Sequence, residues 1–200
     1  MRLFLSIVSY IFHPLFIPVG GTLAYFAFAP YSTLEQQSGN ILPIFILTVI
    51  IPIIFFLILK NLKLVNSVFA PSVKERIYPI LINIGLLLLI LYNVIPQNYS
   101  NELYFFFIGL LTASIAILLL LFLKFKTSIH LVGMSSILFF LIGLSIHFEI
   151  NITLAIGVFT ILSGLVATSR LYLKAHTLPE LLIGFIIGGF SQLFLFKLWL

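Results

Sequence analysis

The chain has 200 residues, of which 62% are hydrophobic and only 8% are charged. Soluble domains carry about 25% charged residues, so this composition excludes a water-soluble globule and indicates an integral membrane protein. The absence of cysteine excludes disulfides, thiolate metal sites and cysteine nucleophiles. The net charge of +5 indicates cationic helix ends at a membrane surface, with no nucleic-acid partner.

Apolar segments, each near the ~20 residues that a spanning helix needs, predict an all-α bundle of six to seven transmembrane spans in one domain, residues 1–200. They cover residues 3–28, 42–59, 79–95, 104–123, 129–147, 152–173 and 180–199. The first span is expected to bend at Pro14 or Pro18, where the ring removes a backbone donor. Pro79 and Pro179 are expected in the first turn of their helices, where a missing N–H costs little.

Two polar connections and one glycine pattern complete the predicted architecture. Residues 31–40 are interpreted as a polar loop, and residues 60–78 as an interfacial helix or loop. In the last span, Gly184 and Gly188 stand in a G-x-x-x-G spacing, which predicts close contact with a neighbouring helix.

The cations segregate to one membrane face when the crossings are counted. Residues 60–78, 124–128 and 174–179 are separated by two spans each, so they share a face with the amino terminus. Nine of the ten Lys and Arg residues lie there: Arg2, Lys60, Lys63, Lys74, Arg76, Lys124, Lys126, Arg170 and Lys174. Lys197 alone lies on the other face. The positive-inside rule then predicts that this cationic face is cytoplasmic.

Residues suited to chemistry gather on the same face. Residues 169–180 place Arg170, His176 and Glu180 between two apolar runs, and His130 opens the fifth span. Arg and Lys bind phosphate oxygens well. A histidine held by a carboxylate can attack phosphorus while a second histidine protonates the leaving alcohol. A phosphate ester is therefore the expected ligand, whereas His13 and His147 are interpreted as structural imidazoles.

Three motifs resemble the signatures of the type 2 phosphatidic acid phosphatase superfamily, in its membrane lipid phosphatase branch. Residues 169–180 read Ser-Arg, five residues, His, three residues, Glu, similar to the third signature, which ends in Asp. Residues 128–130 read Ser-Ile-His, similar to the end of the signature Pro-Ser-Gly-His. Residues 74–79 read Lys-Glu-Arg-Ile-Tyr-Pro, which more loosely resembles the first signature, Lys, six residues, Arg-Pro. The resemblance to this family covers about residues 74–189, as a divergent member.

The resemblance implies a role for each matching residue. His176 would be the nucleophile that forms a phosphohistidine, Glu180 would orient it, and His130 would be the general acid. Phosphate oxygens would be bound by Arg170, Ser128, Lys74 and Arg76. The implied reaction is metal-independent and needs no cofactor. The implied substrate is a lipid phosphate, such as phosphatidate, phosphatidylglycerophosphate or a polyprenyl (di)phosphate, whose tails remain among the membrane lipids.

Alternatives stay open on orientation and on activity. Bacterial phosphatases of this kind mostly face outward, against the cytoplasmic site that the cations predict. Without Lys74, Arg76 and Arg170 as substrate ligands the count is still six against one, so we favour the cytoplasmic face of a bacterial inner membrane. Glu180 in place of Asp and Ile129 in place of Gly leave room for a catalytically degenerate lipid-binding or structural membrane protein. A transporter is disfavoured, because polar residues within the spans are uncharged.

Overall fold

The chain folds as a bundle of helices, seen in a computed structural model that describes residues 1–30, 33–65, 72–95 and 100–200, without the side chains of residues 35 and 36. These ranges contain helices and no strand. The helices are α1 (Arg2–Ile11), α2 (Ile17–Phe28), α3 (Leu34–Phe45), α4 (Ile51–Asn61), α5 (Val73–Asn93), α6 (Asn101–Phe122), α7 (Ile129–His147), α8 (Thr153–Tyr172), α9 (Leu178–Leu193) and α10 (Phe196–Trp199).

Seven helical segments in the described ranges are long and apolar enough to cross a membrane. Helices α1 and α2 form the first of them, and a wide turn at Ile46–Ile50 joins α3 to α4 in the second. Large apolar side chains such as Leu154 and Phe190 point outward, as a lipid-facing surface requires. The predicted all-α bundle is confirmed, and the protein is a multi-pass integral membrane protein.

Helix α7 occupies the centre of the bundle. In its most apolar window 72% of the residues are buried, against 50% or less in the other spans. Phe106 of α6 stacks on Phe140 of α7 with 4.5 Å between ring centroids, and both side chains are fully buried. Helix α7 packs against α2, α6, α8 and α9. These contacts fix the positions of its first two residues, Ile129 and His130, relative to the neighbouring helices.

Glycines bring α9 against α7, as the G-x-x-x-G spacing predicts. A Cβ at Gly184 would lie 2.7 Å from the Ser128 carbonyl oxygen, and one at Gly188 would collide with the Val132 carbonyl. Only the missing side chains allow the two backbones to come this close. This contact fixes the start of α9, which follows His176, beside the start of α7.

The first span bends where prolines were expected to bend it. Helix α1 ends at Ile11, and a 3₁₀ turn at Pro14–Phe16 leads into α2. The Leu15 N–H donates to Nδ1 of His13 at 3.3 Å, which caps this turn. Helix α1 packs against α8, whereas α2 packs against α7 and α6. The bend therefore lets one apolar segment contact two different parts of the bundle.

Helix α5 begins six residues before the predicted start of the third span. Ser72 caps it by accepting the Glu75 N–H at 3.2 Å, so a charged turn precedes the apolar run. The expectation that Pro79 lies in a first turn was wrong, because Pro79 is inside the helix, whereas Pro179 does stand in the first turn of α9. Hydropathy alone misses such a turn, since its side chains are polar while its backbone stays helical.

Two predicted connections are only partly described. Helix α3 begins at Leu34, inside the predicted polar loop 31–40, because a polar segment can be helical when it continues an apolar helix. Residues 31 and 32 of that loop lie outside the described residues. So do residues 66–71 of the connection 60–78. Of its described residues, 60–61 end α4, 62–65 follow that helix as a turn, and 73–78 belong to α5.

We predict that Gly188→Ala lowers stability, because its Cβ would meet backbone atoms of α7 that cannot move independently. Overpacking of this kind costs about 1–3 kcal/mol. The matched control is Gly164→Ala in α8, where a Cβ meets nothing within 4 Å and alanine favours the helix. Thermal unfolding of the detergent-purified variants measures the difference. Equal unfolding midpoints for the two variants would contradict the close α7–α9 contact.

Candidate functional site

A cavity of about 200 Å³ lies between the 3₁₀ turn, α5, α6 and α7, at the cationic end of the bundle. Five ionisable side chains line its polar end: His13, Arg76, His130, Arg170 and His176. Four of these were singled out in the sequence, and they come from α5, the start of α7, the end of α8 and the joint before α9. The fold therefore brings the two predicted histidines and two predicted arginines to one space.

His176 is held by Glu180 in a defined orientation. Its Nδ1 lies 2.8 Å from Oε2 of Glu180, and only 2% of the imidazole side chain is exposed. Because a carboxylate accepts, Nδ1 carries the proton and the Nε2 lone pair remains available for attack. Oε2 also accepts the Thr177 N–H at 3.1 Å, closing a capping box at the start of α9. The Glu180 side chain is thus long enough to orient the imidazole and to cap the helix at once.

The environment keeps the His176 ring neutral. Burial is the main cause that lowers its pKa from 6.5 to about 4, and the positive charges of Arg76, Lys126 and Arg170 lower it further. The hydrogen bond to Glu180 acts in the opposite direction. At neutral pH the ring is therefore unprotonated on Nε2, which is the form that a nucleophile needs.

A tight turn places His176 relative to Arg170. Helix α8 ends at Tyr172, and Lys174, two residues later, adopts the left-handed conformation at φ 52°. The Lys174 N–H donates to the Leu171 carbonyl at 2.9 Å, and the Ala175 N–H donates back to the Arg170 carbonyl at 3.0 Å. These two bonds form the paired closure typical of helix ends, so the backbone beside His176 is tied to Arg170 itself.

The joint between α6 and α7 connects the other parts of the site. Arg76 donates from Nη1 to the Thr127 carbonyl at 3.2 Å. Oγ1 of Thr127 and the backbone N–H of Ser128 both donate to the Glu180 carbonyl, at 3.2 and 3.1 Å. Lys126 donates from Nζ to the Ala175 carbonyl at 3.1 Å, and burial lowers the pKa of its ammonium group. Residues 126–128 therefore fasten α5 and α9 together at the mouth of the cavity.

Arg170 and Ser128 carry buried polar atoms that no described residue satisfies. Arg170 is 4% exposed and Ser128 is fully buried. Nε of Arg170 and Oγ of Ser128 have no hydrogen-bond partner among the described residues. A buried unsatisfied group costs about 1–3 kcal/mol, and more for a charged one, so such groups call for an explanation. A bound anion would supply the missing acceptor for the guanidinium.

The structure separates Arg76 from Lys74. Arg76 is buried and lines the cavity, whereas Lys74 is exposed and is not among the lining residues. Two residues along an α-helix correspond to a rotation of about 200°, so the two side chains point to opposite sides of α5. Arg76, and not Lys74, is the residue of this motif that can reach a ligand in the cavity. Ser128 precedes the lining residues Ile129 and His130 without lining the cavity itself.

Two residues of the site were missed by the sequence analysis. The Ser9 carbonyl oxygen lies 3.2 Å from Nε2 of His130. The His13 ring stands edge-on to His130, with 5.5 Å between centroids, although it was interpreted as structural. The available signal was a polar residue on the buried side of α1, beside Leu5 and Val8.

The fourth histidine, His147, does not line this cavity. His147 pairs with Glu102 at 2.9 Å, at the opposite end of α7, where it fastens α7 to α6. Among the residues that the structure describes, no three His, Asp or Glu side chains are grouped as metal ligands. The polar end of the cavity is thus defined by its arginines and histidines.

Comparison with known proteins supplies no relative from which a function could be transferred. No family model, no curated protein and no solved structure matches the chain. The resemblance to the lipid phosphatases therefore stays a prediction. It depends on three motifs and on how their residues are arranged in the fold.

We predict that His176 makes stability depend on pH. Between about pH 6.5 and pH 4 the unfolded chain binds a proton that the folded ring does not, so the folded state loses stability as the pH falls through this range. His176→Gln removes this contribution, and its unfolding midpoint should fall less than that of the wild type between neutral pH and pH about 4. Equal losses in variant and wild type would show that the folded ring is not held neutral.

Proposed function

We propose that the protein is a membrane phosphatase that hydrolyses a lipid phosphate or polyprenyl (di)phosphate through a phosphohistidine. It would be a divergent member of the type 2 phosphatidic acid phosphatase superfamily. One observation carries the proposal: His176, oriented by Glu180, lines one cavity together with His130, Arg76 and Arg170. A nucleophile, a proton donor and two cations are the parts that phosphoryl transfer needs.

The reaction has two steps. Nε2 of His176 attacks phosphorus, an N–P bond forms, and the P–O bond to the lipid alcohol breaks while His130 gives that oxygen a proton. For this, His130 enters the step as the doubly protonated imidazolium, a form that the bound phosphate anion favours. Water then attacks the phosphohistidine, His130 takes a proton from it, the N–P bond breaks, and inorganic phosphate leaves. Both histidines return to their starting states. Glu180 keeps the proton on Nδ1 of His176 until Nε2 has reacted, and it stabilises the positive ring that forms.

The arginines stabilise the charge that spreads over the phosphoryl oxygens. Arg170 offers the unpartnered Nε, and Arg76 lies at the same end of the cavity. Fixed donors in a site with little water act strongly on such charge, and removing one from comparable sites costs about 10²–10³ in rate. They supply the positive charge that a metal ion supplies in other phosphoryl transferases.

The shape of the cavity supports a lipid as the substrate. One face of α5 lines it from Arg76 to Leu87, eleven residues away, which is about 16 Å along a helix. That is roughly half of the ~30 Å hydrocarbon thickness of a bilayer, the depth of one leaflet. The deeper walls are mostly apolar and include Leu110, Ala113 and Ile117 of α6. A phosphate at the cationic end with one chain along these walls would match this arrangement.

The charge distribution supports a site on the cytoplasmic side of a bacterial inner membrane. The cationic face carries nine of the ten Lys and Arg residues. Arg76 and Arg170 line the cavity, so phosphate binding is enough to explain their position and they can be left out of the positive-inside count. The remaining cations of that face still outnumber Lys197 on the other, which favours a cytoplasmic location.

One observation favours a second candidate, a lipid-binding protein without turnover. Ile129 lines the cavity where the family signature has glycine, so its side chain fills space beside the phosphate position. Such a protein would retain Arg76 and Arg170 as anion ligands and lose only the chemical step.

The proposal is tested by phosphate release from phosphatidate and from a polyprenyl phosphate, using purified protein. His176→Ala should abolish release, and His130→Ala should lower it by about 10²–10⁴-fold, as loss of a general acid does. The matched control is His147→Ala, which removes an imidazole from the other face. Orthovanadate should inhibit the wild type. Equal release by the wild type and by both site variants would refute the phosphatase, and lipid binding without release would favour the second candidate.

Chain recognition is tested in the same assay. Ala113→Leu should fill the deeper cavity and lower kcat/KM for a long-chain phosphate by about tenfold or more, with little change for a water-soluble short-chain ester. Ala116→Leu is the matched control, because Ala116 lies on the same helix and does not line the cavity. An equal loss for long and short substrates would place the lipid chain elsewhere.

A further inference from the structure

We infer that Ser9, in the N-terminal helix α1, is a positioning residue of the phosphate site. This inference rests on the proposed function and adds to it a part of the chain outside residues 74–189. Ser9 is 3% exposed. Its hydroxyl accepts from Nη1 of Arg170 at 3.2 Å and lies 2.8 Å from Oγ of Ser169, and its carbonyl oxygen lies 3.2 Å from Nε2 of His130.

The direction of these hydrogen bonds can be assigned from chemistry. Ser169 donates its one hydroxyl proton to the Leu5 carbonyl at 2.7 Å, so it can only accept from Ser9. The Ser9 proton therefore points to Ser169, and the Ser9 lone pairs face Arg170. The hydrogen bonds therefore form a chain that runs in one direction, from Arg170 to Ser9, from Ser9 to Ser169, and from Ser169 to the Leu5 carbonyl of α1. Each of the two hydroxyl groups donates its proton to a defined acceptor.

This chain holds the guanidinium in one orientation. The fork of an arginine is planar, so fixing Nη1 restricts the direction in which Nε points. Nε is buried and has no hydrogen-bond partner in the described part of the chain. By binding Nη1, Ser9 leaves Nε to an equatorial phosphate oxygen and prevents the side chain from turning away when the site is empty.

The backbone carbonyl of Ser9 fixes the orientation of the His130 ring. A carbonyl only accepts, so Nε2 of His130 carries a proton in both charge states of the ring. Nδ1 is therefore the nitrogen that holds the second proton of the imidazolium and exchanges it with the leaving alcohol. The edge-on ring of His13 limits rotation of His130 on another side. One residue of α1 thus orients both an anion ligand and the proposed general acid.

The test compares orthovanadate binding by the full-length wild type, Ser9→Ala and Ser6→Ala, each measured as vanadate-dependent thermal stabilisation. Ser6 is the matched control, because it is a half-buried serine of α1 whose hydroxyl donates to the Arg2 carbonyl within the same helix. Ser9→Ala should weaken vanadate binding by roughly tenfold, the loss of one hydrogen bond to a charged group. Ser6→Ala should bind as the wild type does.

A double-mutant cycle separates positioning from a general structural effect. In an Arg170→Ala background, Ser9→Ala should cause no further loss of vanadate affinity, because the group that it positions is gone. An equal loss in both backgrounds would overturn the inference. Ser169→Ala, which removes the acceptor of the Ser9 proton, tests the same chain and should also weaken vanadate binding.

The outcomes distinguish the two proposals. If the wild type releases phosphate from lipids and Ser9→Ala binds vanadate as tightly as Ser6→Ala does, the inference fails and the phosphatase stands. If the wild type binds vanadate, releases no phosphate, and loses affinity in Ser9→Ala, the positioning role stands and the phosphatase fails. A wild type that does not bind vanadate would overturn both.

Discussion

A positive charge buried at the membrane surface is the constraint on which this structure depends. Arg170 is almost fully buried, one of its nitrogens has no hydrogen-bond partner among the residues that the structure describes, and a serine hydroxyl accepts from another. Desolvating a charge in this way is costly unless a counter-charge is bound. The carboxylate of Glu180 is engaged by His176 and by the start of α9. Under the proposed function, the bound phosphate supplies this counter-charge.

The bundle holds this unfavourable cluster together by contacts elsewhere. Gly184 and Gly188 let α9 approach α7 at backbone distance, so the helix that follows His176 starts beside the one that carries His130. Residues 126–128 then bond to Arg76, Ala175 and Glu180. A site built from helix ends is positioned by the packing of whole helices. This packing is stabilised by the buried apolar side chains around α7, which include the stacked rings of Phe106 and Phe140. Polar groups at the ends can therefore be arranged for a ligand.

Much of this arrangement could be predicted from the sequence. The number of membrane crossings between two joints determines whether they share a face, and the spacing along a helix determines which side chains are neighbours. Counting spans placed the joints with His176, His130 and Arg76 on one face, and a separation of four residues put Glu180 within reach of His176. Hydropathy could not show that α5 begins at Val73, and so could not separate Arg76 from Lys74 by helix face. Ser9 was inaccessible for a different reason. It acts on His130 through a backbone carbonyl across 121 positions of sequence, and a carbonyl is common to every residue.

The central claim is that His176 becomes covalently phosphorylated, and trapping that intermediate tests it most directly. Purified protein would be mixed with a lipid phosphate, quenched in alkali, where phosphohistidine survives, and analysed by peptide mass spectrometry. The account predicts one phosphoryl group on the peptide that contains His176, and none on the same peptide from His176→Ala. Turnover of the lipid phosphate with no phosphoryl group on His176, or with one on a different residue, would contradict it.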